Sequence, residues 1–157
     1  MKLWDFAVTI HAEPGVDAAL LDLQDNHGQC VSYLLWAVWT ARTGRPVGQA
    51  ALASAAGLAQ AWEAEVAGPL RAARRNLKRP WPPMADGRRE RLRSKVKAVE
   101  MAAERTLLDS LEALTPRRRG PSGTVAERLA EAMAAWSPPA SIDAAAPLLP
   151  VFEGFAI

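Results

Sequence analysis

The chain has 157 residues, half of them apolar, and a formal net charge of +2, which fits one domain that can bury a core. Its longest apolar stretch, residues 31–41, is far shorter than the roughly 20 residues of a membrane span, and its single cysteine excludes an internal disulfide. No signal-peptide pattern follows Met1, so we expect a cytoplasmic protein.

Three short helices are predicted near the start of the chain. Apolar residues recur at helical spacing over three stretches, residues 3–12, 16–26 and 30–42. Pro14 ends the first helix, and Gly28 follows the second as a C-terminal cap. The third stretch is apolar nearly all round and includes Trp36 and Trp39, so we expect it at the centre of the core.

A long helical hairpin is predicted next. An alanine-rich helical pattern covers residues 49–78 and is interrupted at Gly68-Pro69, where we expect a kink because proline has no backbone donor. Residues 79–83 form a proline-rich connector. Residues 87–114 then carry near-heptad apolar spacings suited to antiparallel packing on the first arm.

The remainder combines one helix with a tail. Thr124 and Glu127 have the spacing of a capping box for a helix that ends at Trp136. Residues 137–157 contain several prolines and no periodicity, but their apolar end predicts docking on this domain or on another protein. No strand pattern is present. We therefore predict an all-α, single-domain multi-helix bundle of about six helices, with a helical domain at residues 1–136 and an irregular, Pro/Ala-rich apolar tail after it.

Four segments carry a family resemblance: Leu3-Trp4-Asp5-Phe6-Ala7, Pro14-Gly15-Val16, Leu23-Gln24-Asp25 with the Gly28-to-Trp39 helix, and Pro69-Leu70-Arg71-Ala72-Ala73-Arg74-Arg75-Asn76-Leu77-Lys78. Together they resemble a family of small proteobacterial proteins known only as a domain of unknown function, over roughly residues 3–114. The resemblance implies a single helical domain and no particular activity. The arginine-rich loop and the tail beyond it depart from the family pattern.

Positive charge is concentrated in one segment. Residues 71–97 carry eleven basic and two acidic side chains, whereas the rest of the chain is net acidic. Spacings of three and four place four cations on one face of the predicted helix: Arg71, Arg74, Arg75 and Lys78.

The basic face has two interpretations. As a binding surface, together with Trp81 in the connector, it would grip an acidic protein partner. As a structural feature, its arginines would pair with Glu100 and Glu104 on the next helix. A mixed arrangement would pair Arg71 or Arg74 inward and leave Arg75 and Lys78 free. Charge reversal at Arg74 and Arg75 separates the two, because only the structural interpretation predicts unfolding.

A second basic run favours another partner class. Six cations occupy ten residues, Arg88, Arg89, Arg91, Arg93, Lys95 and Lys97, and they could bind a phosphate backbone by counterion release. No aromatic residue lies between them and no nucleic-acid motif is present. A solvated helix end is the alternative interpretation.

Signals for catalysis are weak. Asp25, His27 and Cys30 cluster in sequence, with His11 as a further neighbour, but they lack the spacings of metal sites and of nucleophilic triads. We expect no metal or cofactor. The tryptophans at positions 4, 36, 39 and 62 either form the core or line a ligand pocket.

These patterns predict a non-enzymatic interaction or regulatory protein that uses the basic helix face. The first alternative is weak RNA or DNA binding through residues 71–97. The second alternative is a binder or enzyme for a small anionic or hydrophobic ligand, with a Trp-lined pocket.

Overall fold

The computed structural model describes residues 1–155, and within them every regular element is a helix. The predicted all-α bundle is confirmed. Eight α-helices follow in order: α1 Leu3–His11, α2 Val16–His27, α3 Val31–Arg42, α4 Gln49–Trp62, α5 Gly68–Asn76, α6 Asp86–Leu114, α7 Val125–Ala135 and α8 Leu149–Gly154. A π-helical turn, Glu63–Ala67, joins α4 to α5, and a 3₁₀ helix, Ile142–Leu148, precedes α8.

Helix α3 lies at the centre of the core, as predicted. It contacts α1, α2, α4, α6 and α7, and Trp36 and Trp39 on it are at most 1% exposed. Both buried indoles have hydrogen-bond partners: Trp36 Nε1 donates to Thr115 Oγ1 at 2.7 Å, and Trp39 Nε1 donates to the Met1 carbonyl at 3.2 Å. These bonds remove the cost of burying the two N–H groups.

The predicted interruption at Gly68-Pro69 is a π turn. The Gly68 N–H donates to the Glu63 carbonyl, five residues back, and helical backbone continues through Pro69 into α5. A π turn holds one residue more than an α turn and accommodates the proline, which has no N–H of its own. Glycine is required before it, because a Cβ at position 68 would lie 2.7 Å from the Glu63 carbonyl oxygen.

Helices α5 and α6 form the predicted antiparallel hairpin, and its outer part stands clear of the core. No residue of α5 is buried, and the buried apolar residues of α6 all lie in its second half, from Ala103 to Leu111. We call residues 68–99 the basic hairpin. Its position leaves both arms accessible over most of their length.

The tail is more regular than predicted. Ala145, Leu148 and Phe152 have helical spacing and are buried against the core, and Phe155 packs edge-on against Phe6 with ring centroids 5.6 Å apart. The prolines of this segment led to a prediction of no helix here, although proline fits the first turn of a helix such as α8. Of the two alternatives for the tail, residues up to 155 dock on their own domain.

The capping box of α7 is present as predicted. The Glu127 N–H donates to Thr124 Oγ1 at 3.1 Å, and the Thr124 N–H donates to Glu127 Oε2 at 2.8 Å. Hydrogen bonding from Thr124 lowers the pKa of Glu127. The helix therefore begins where the sequence places it.

Candidate interaction site on the basic hairpin

Two of the four cations on the α5 face are internal ion-pair partners. Arg74 forms two hydrogen bonds to the carboxylate of Glu100, which is 5% exposed, and Arg71 Nε lies 3.7 Å from the same carboxylate. Arg71 also pairs with Glu63 at the π turn. The hydrogen bond to Glu100 raises the pKa of Arg74. The predicted interhelical pairing is therefore present at Glu100, whereas Glu104 makes no ion pair within residues 1–155.

The other two cations predicted on this face, Arg75 and Lys78, make no ion pair with α6. Arg75 Nη2 donates to Asp25 Oδ1 of α2 at 2.7 Å, and both side chains are about half exposed. This bond lowers the pKa of Asp25. Lys78 is exposed and has no ion pair among the described residues. The basic face is thus divided between structural pairs and a free end.

The second basic run is divided in the same way. Arg89 is buried, donates to the Leu77 carbonyl across the hairpin, and pairs with Asp86 and Glu90. Arg93 is half-buried and also pairs with Glu90, at 3.2 Å. Exposed cations with no ion pair in residues 1–155 occupy the remaining positions: Arg88, Arg91, Lys95 and Lys97.

Exposed apolar side chains lie among these cations. Trp81 in the connector is 53% exposed, although its Nε1 donates to the Asn76 carbonyl at 3.2 Å, and Met84 beside it is 50% exposed. On α6, Leu92 and Val99 are about half exposed and one heptad apart. The helical period places them on the same side of α6 as Lys95. The hairpin surface is therefore basic and apolar at once.

Within the described residues, the charges of the hairpin that lack an ion pair are all positive. Both acidic residues of the segment, Asp86 and Glu90, pair with arginines of α6, so neither neutralises the exposed cations. Six exposed cations remain without an ion pair in the described chain, Lys78, Arg79, Arg88, Arg91, Lys95 and Lys97. A protruding element with this charge attracts acidic surfaces.

The residues weighed for catalysis do not assemble. His11 pairs with Asp17, His27 lies 3.6 Å from Asp22, and Asp25 binds the hairpin. Within residues 1–155, no three His, Cys, Asp or Glu side chains are placed to hold a metal ion.

Cys30 is expected to be unreactive in the folded protein. It lies in the core at 6% exposure, and burial raises the pKa of its thiol to about 12. Because the thiolate is the nucleophile, alkylation by iodoacetamide at pH 8 should be at least about a hundredfold slower than in guanidinium chloride. Mass spectrometry of timed samples measures both rates. Equal rates in the two conditions would contradict the buried placement.

One buried cation was not anticipated from the sequence. Arg128 of α7 is 6% exposed and donates to the Val47 carbonyl at 2.5 Å and to the Ser122 carbonyl at 3.1 Å. It joins two loops to the helix. The sequence feature that could have predicted its burial is its position on the apolar stripe of α7 that contains Val125 and Leu129.

The four tryptophans of the pocket hypothesis also divide. Trp36 and Trp39 belong to the closed core, whereas Trp4 and Trp62 border a cavity of about 490 Å³. The core interpretation therefore holds for Trp36 and Trp39, whereas Trp4 and Trp62 pack on the core and border the cavity.

Fold and site together define an all-α bundle protein with a protruding basic hairpin. The chain belongs to a family described as "Protein of unknown function (DUF2390)", whose model matches residues 2–111. The match includes the entire basic hairpin and confirms the predicted resemblance. No curated protein and no solved structure matches the chain. Among the described residues, no helix has the length and hydrophobicity to span a membrane.

Proposed function

We propose that this is a non-enzymatic interaction protein whose basic hairpin binds a protein partner with an acidic, partly apolar surface. One observation supports the proposal above others: six exposed, unpaired cations alternate with four exposed apolar side chains on an element that stands clear of the core. The apolar members are Trp81, Met84, Leu92 and Val99.

The internal ion pairs support a preorganised surface. Arg74 and Glu100 connect the two arms at one level, and Arg89 connects them again at the Leu77 carbonyl. Arms fixed in this way lose less conformational freedom when a partner binds. The ion pairs of Arg71 and Arg74 thus hold in place the arms that carry the exposed cations.

A protein partner fits this surface better than nucleic acid. Tryptophan, methionine and arginine are enriched in protein interfaces, and an exposed Trp81 has the properties of a binding hot spot. A phosphate backbone would engage the cations but leave Leu92 and Val99 in water. The cations would then contribute chiefly to the association rate and to selectivity for acidic partners.

The matched test is a nuclease-treated pull-down from native lysate. The variant Arg91→Glu with Lys95→Glu changes two exposed, unpaired cations, so its melting temperature should stay within about 2 °C of wild type. The control, Arg118→Glu with Arg119→Glu, makes the same charge change on an exposed loop. We expect wild type and control to recover one protein and the hairpin variant to lose it.

Two results would contradict the proposal. Equal recovery by all three proteins would show that the hairpin is not the binding surface. Recovery of nucleic acid only when nuclease is omitted, weakening steeply with salt, would favour the nucleic-acid alternative. Trp81→Ala provides a second check, because it removes the central apolar side chain and leaves the charge unchanged.

A further inference from the structure

The cavity beside Trp4 and Trp62 has the size and lining of a small-molecule site. It measures about 490 Å³ and lies between α1, α2, the start of α3, the π turn and α6. Its walls are mainly apolar, with Ala7, Leu20, Leu35, Leu107 and Leu108 among them. Ligand pockets typically combine this volume with a few polar groups that set orientation.

Most polar groups around the cavity already have partners. Arg71 and Glu63 pair with each other, and His11 pairs with Asp17. The guanidinium of Arg71 also faces Glu100, so two carboxylates already neutralise it. The other cation of the lining, Lys97, is exposed and has no ion pair within residues 1–155, so an anionic ligand, as weighed from the sequence, would have to bind there or displace these carboxylates.

Glu104 is different. It lines the cavity, is half-buried, and has neither a hydrogen bond nor an ion pair within residues 1–155. Burial, and then the neighbouring carboxylate of Glu100, raise the pKa of Glu104. A half-buried carboxylate without a partner is available to pair with a bound cation.

The two tryptophans that line the cavity also favour a positively charged ligand. Indole faces attract cations, and the guanidinium of Arg105 lies over the Trp4 ring, 5.1 Å from its centroid. Trp62 lines the cavity and donates its Nε1 to the Ala103 carbonyl at 3.1 Å, which fixes its ring beside Glu104 in α6. A cavity lined by a carboxylate and two indoles has the side chains that recognise organic ammonium groups.

We propose that this cavity binds a small organic amine whose ammonium group pairs with Glu104 and whose apolar body lies between Trp4 and Trp62. Lys97 is the one exposed hairpin cation that also lines the cavity, whereas Arg91 and Lys95, the two residues changed for the pull-down, do not line it. Failure of the pull-down would therefore not contradict the amine site, and failure of amine binding would not contradict the proposed partner surface.

The test compares 4-phenylbutylamine with 4-phenylbutanoate, which have similar bodies and opposite charges, by tryptophan fluorescence titration. The amine should bind with a Kd below roughly 1 mM and the anion at least about tenfold more weakly. Glu104→Gln keeps the side-chain shape and should weaken amine binding about tenfold or more. The control Glu65→Gln, on the exposed side of the π turn, should bind like wild type.

A second measurement keeps the inference testable if Glu104→Gln is poorly folded. In spectra of the ¹⁵N-labelled wild type, the amine should shift the indole N–H signals of Trp4 and Trp62 and leave that of Trp81 in place. Tighter binding of the anion, full binding by a folded Glu104→Gln variant, or no binding of the amine at millimolar concentration would each overturn the inference. Shifts confined to Trp81 would do so as well.

Discussion

Replacing Arg74 by glutamate is expected to lower the free energy of unfolding by about 3 kcal/mol or more. The new carboxylate would face Glu100, which is 5% exposed and would keep only the more distant Arg71. Breaking a buried ion pair from one side leaves an uncompensated charge, and the substitution adds a repulsive one. For a domain of this size the melting temperature should fall by about 10 °C, measured by circular dichroism.

Arg75→Glu is the matched control. It makes the same change one residue away, but Arg75 and Asp25 are 50% and 44% exposed, so water screens their interaction. The expected loss is below about 1 kcal/mol. If both variants were equally stable, the contribution of the Arg74–Glu100 pair to stability would be refuted.

This comparison separates two hypotheses that the sequence leaves combined. From spacing alone, Arg74 and Arg75 belong to one face, and the sequence leaves open whether both are binding residues, both are paired, or only Arg74 is paired inward. In the structure one is an internal partner of α6 and the other bridges to α2. Binding experiments on the hairpin should therefore use Arg91 and Lys95, and avoid Arg74.

Replacing Trp36 by alanine should reduce the free energy of unfolding by about 3–5 kcal/mol. The indole is 1% exposed, stacks on Tyr33 with ring centroids 5.7 Å apart, and donates to Thr115 at 2.7 Å. The substitution leaves a large cavity in the core around α3 and removes the hydrogen bond to Thr115. Guanidinium denaturation, with the slope of the transition checked for constancy, measures the change.

Trp81→Ala is the corresponding surface change. Its indole is 53% exposed, and the effect on unfolding free energy should stay within about 0.5 kcal/mol. The two substitutions remove the same atoms, so their difference reports the packing and hydrogen bonding of the buried indole relative to the exposed one. A loss below about 1 kcal/mol at Trp36 would contradict its placement in the core.

The features that the sequence predicted correctly depend on local patterns. Helical periodicity located α1, α2, α3 and the hairpin to within a few residues, and the capping box located the start of α7. Such signals need only neighbouring residues, because a helix period and a cap each operate within a turn or two. The apolar character of α3 likewise sufficed to place it centrally.

The features that escaped prediction depend on which residues meet at long range. No local sequence pattern predicts that Arg75 contacts α2 rather than α6, or that Arg89 is buried while Arg88 is exposed. Glu104 was predicted as an ion-pair partner of the arginines, yet Glu100 alone takes that position and Glu104 borders the cavity. These outcomes follow from the relative rotation of packed helices, which single-sequence periodicity leaves open.

The rotation of α5 about its axis depends on the π turn that precedes it. Each residue added to an α-helix rotates the rest of the helix by about 100° around its axis, and the turn at Glu63–Ala67 holds one residue more than α-helical geometry would. Removing one residue there would keep every cation of the hairpin and its net charge, yet aim Arg71 and Arg74 about a quarter-turn away from Glu100. The direction in which the charged face of α5 points therefore depends on the number of residues in the π turn as well as on the residue types.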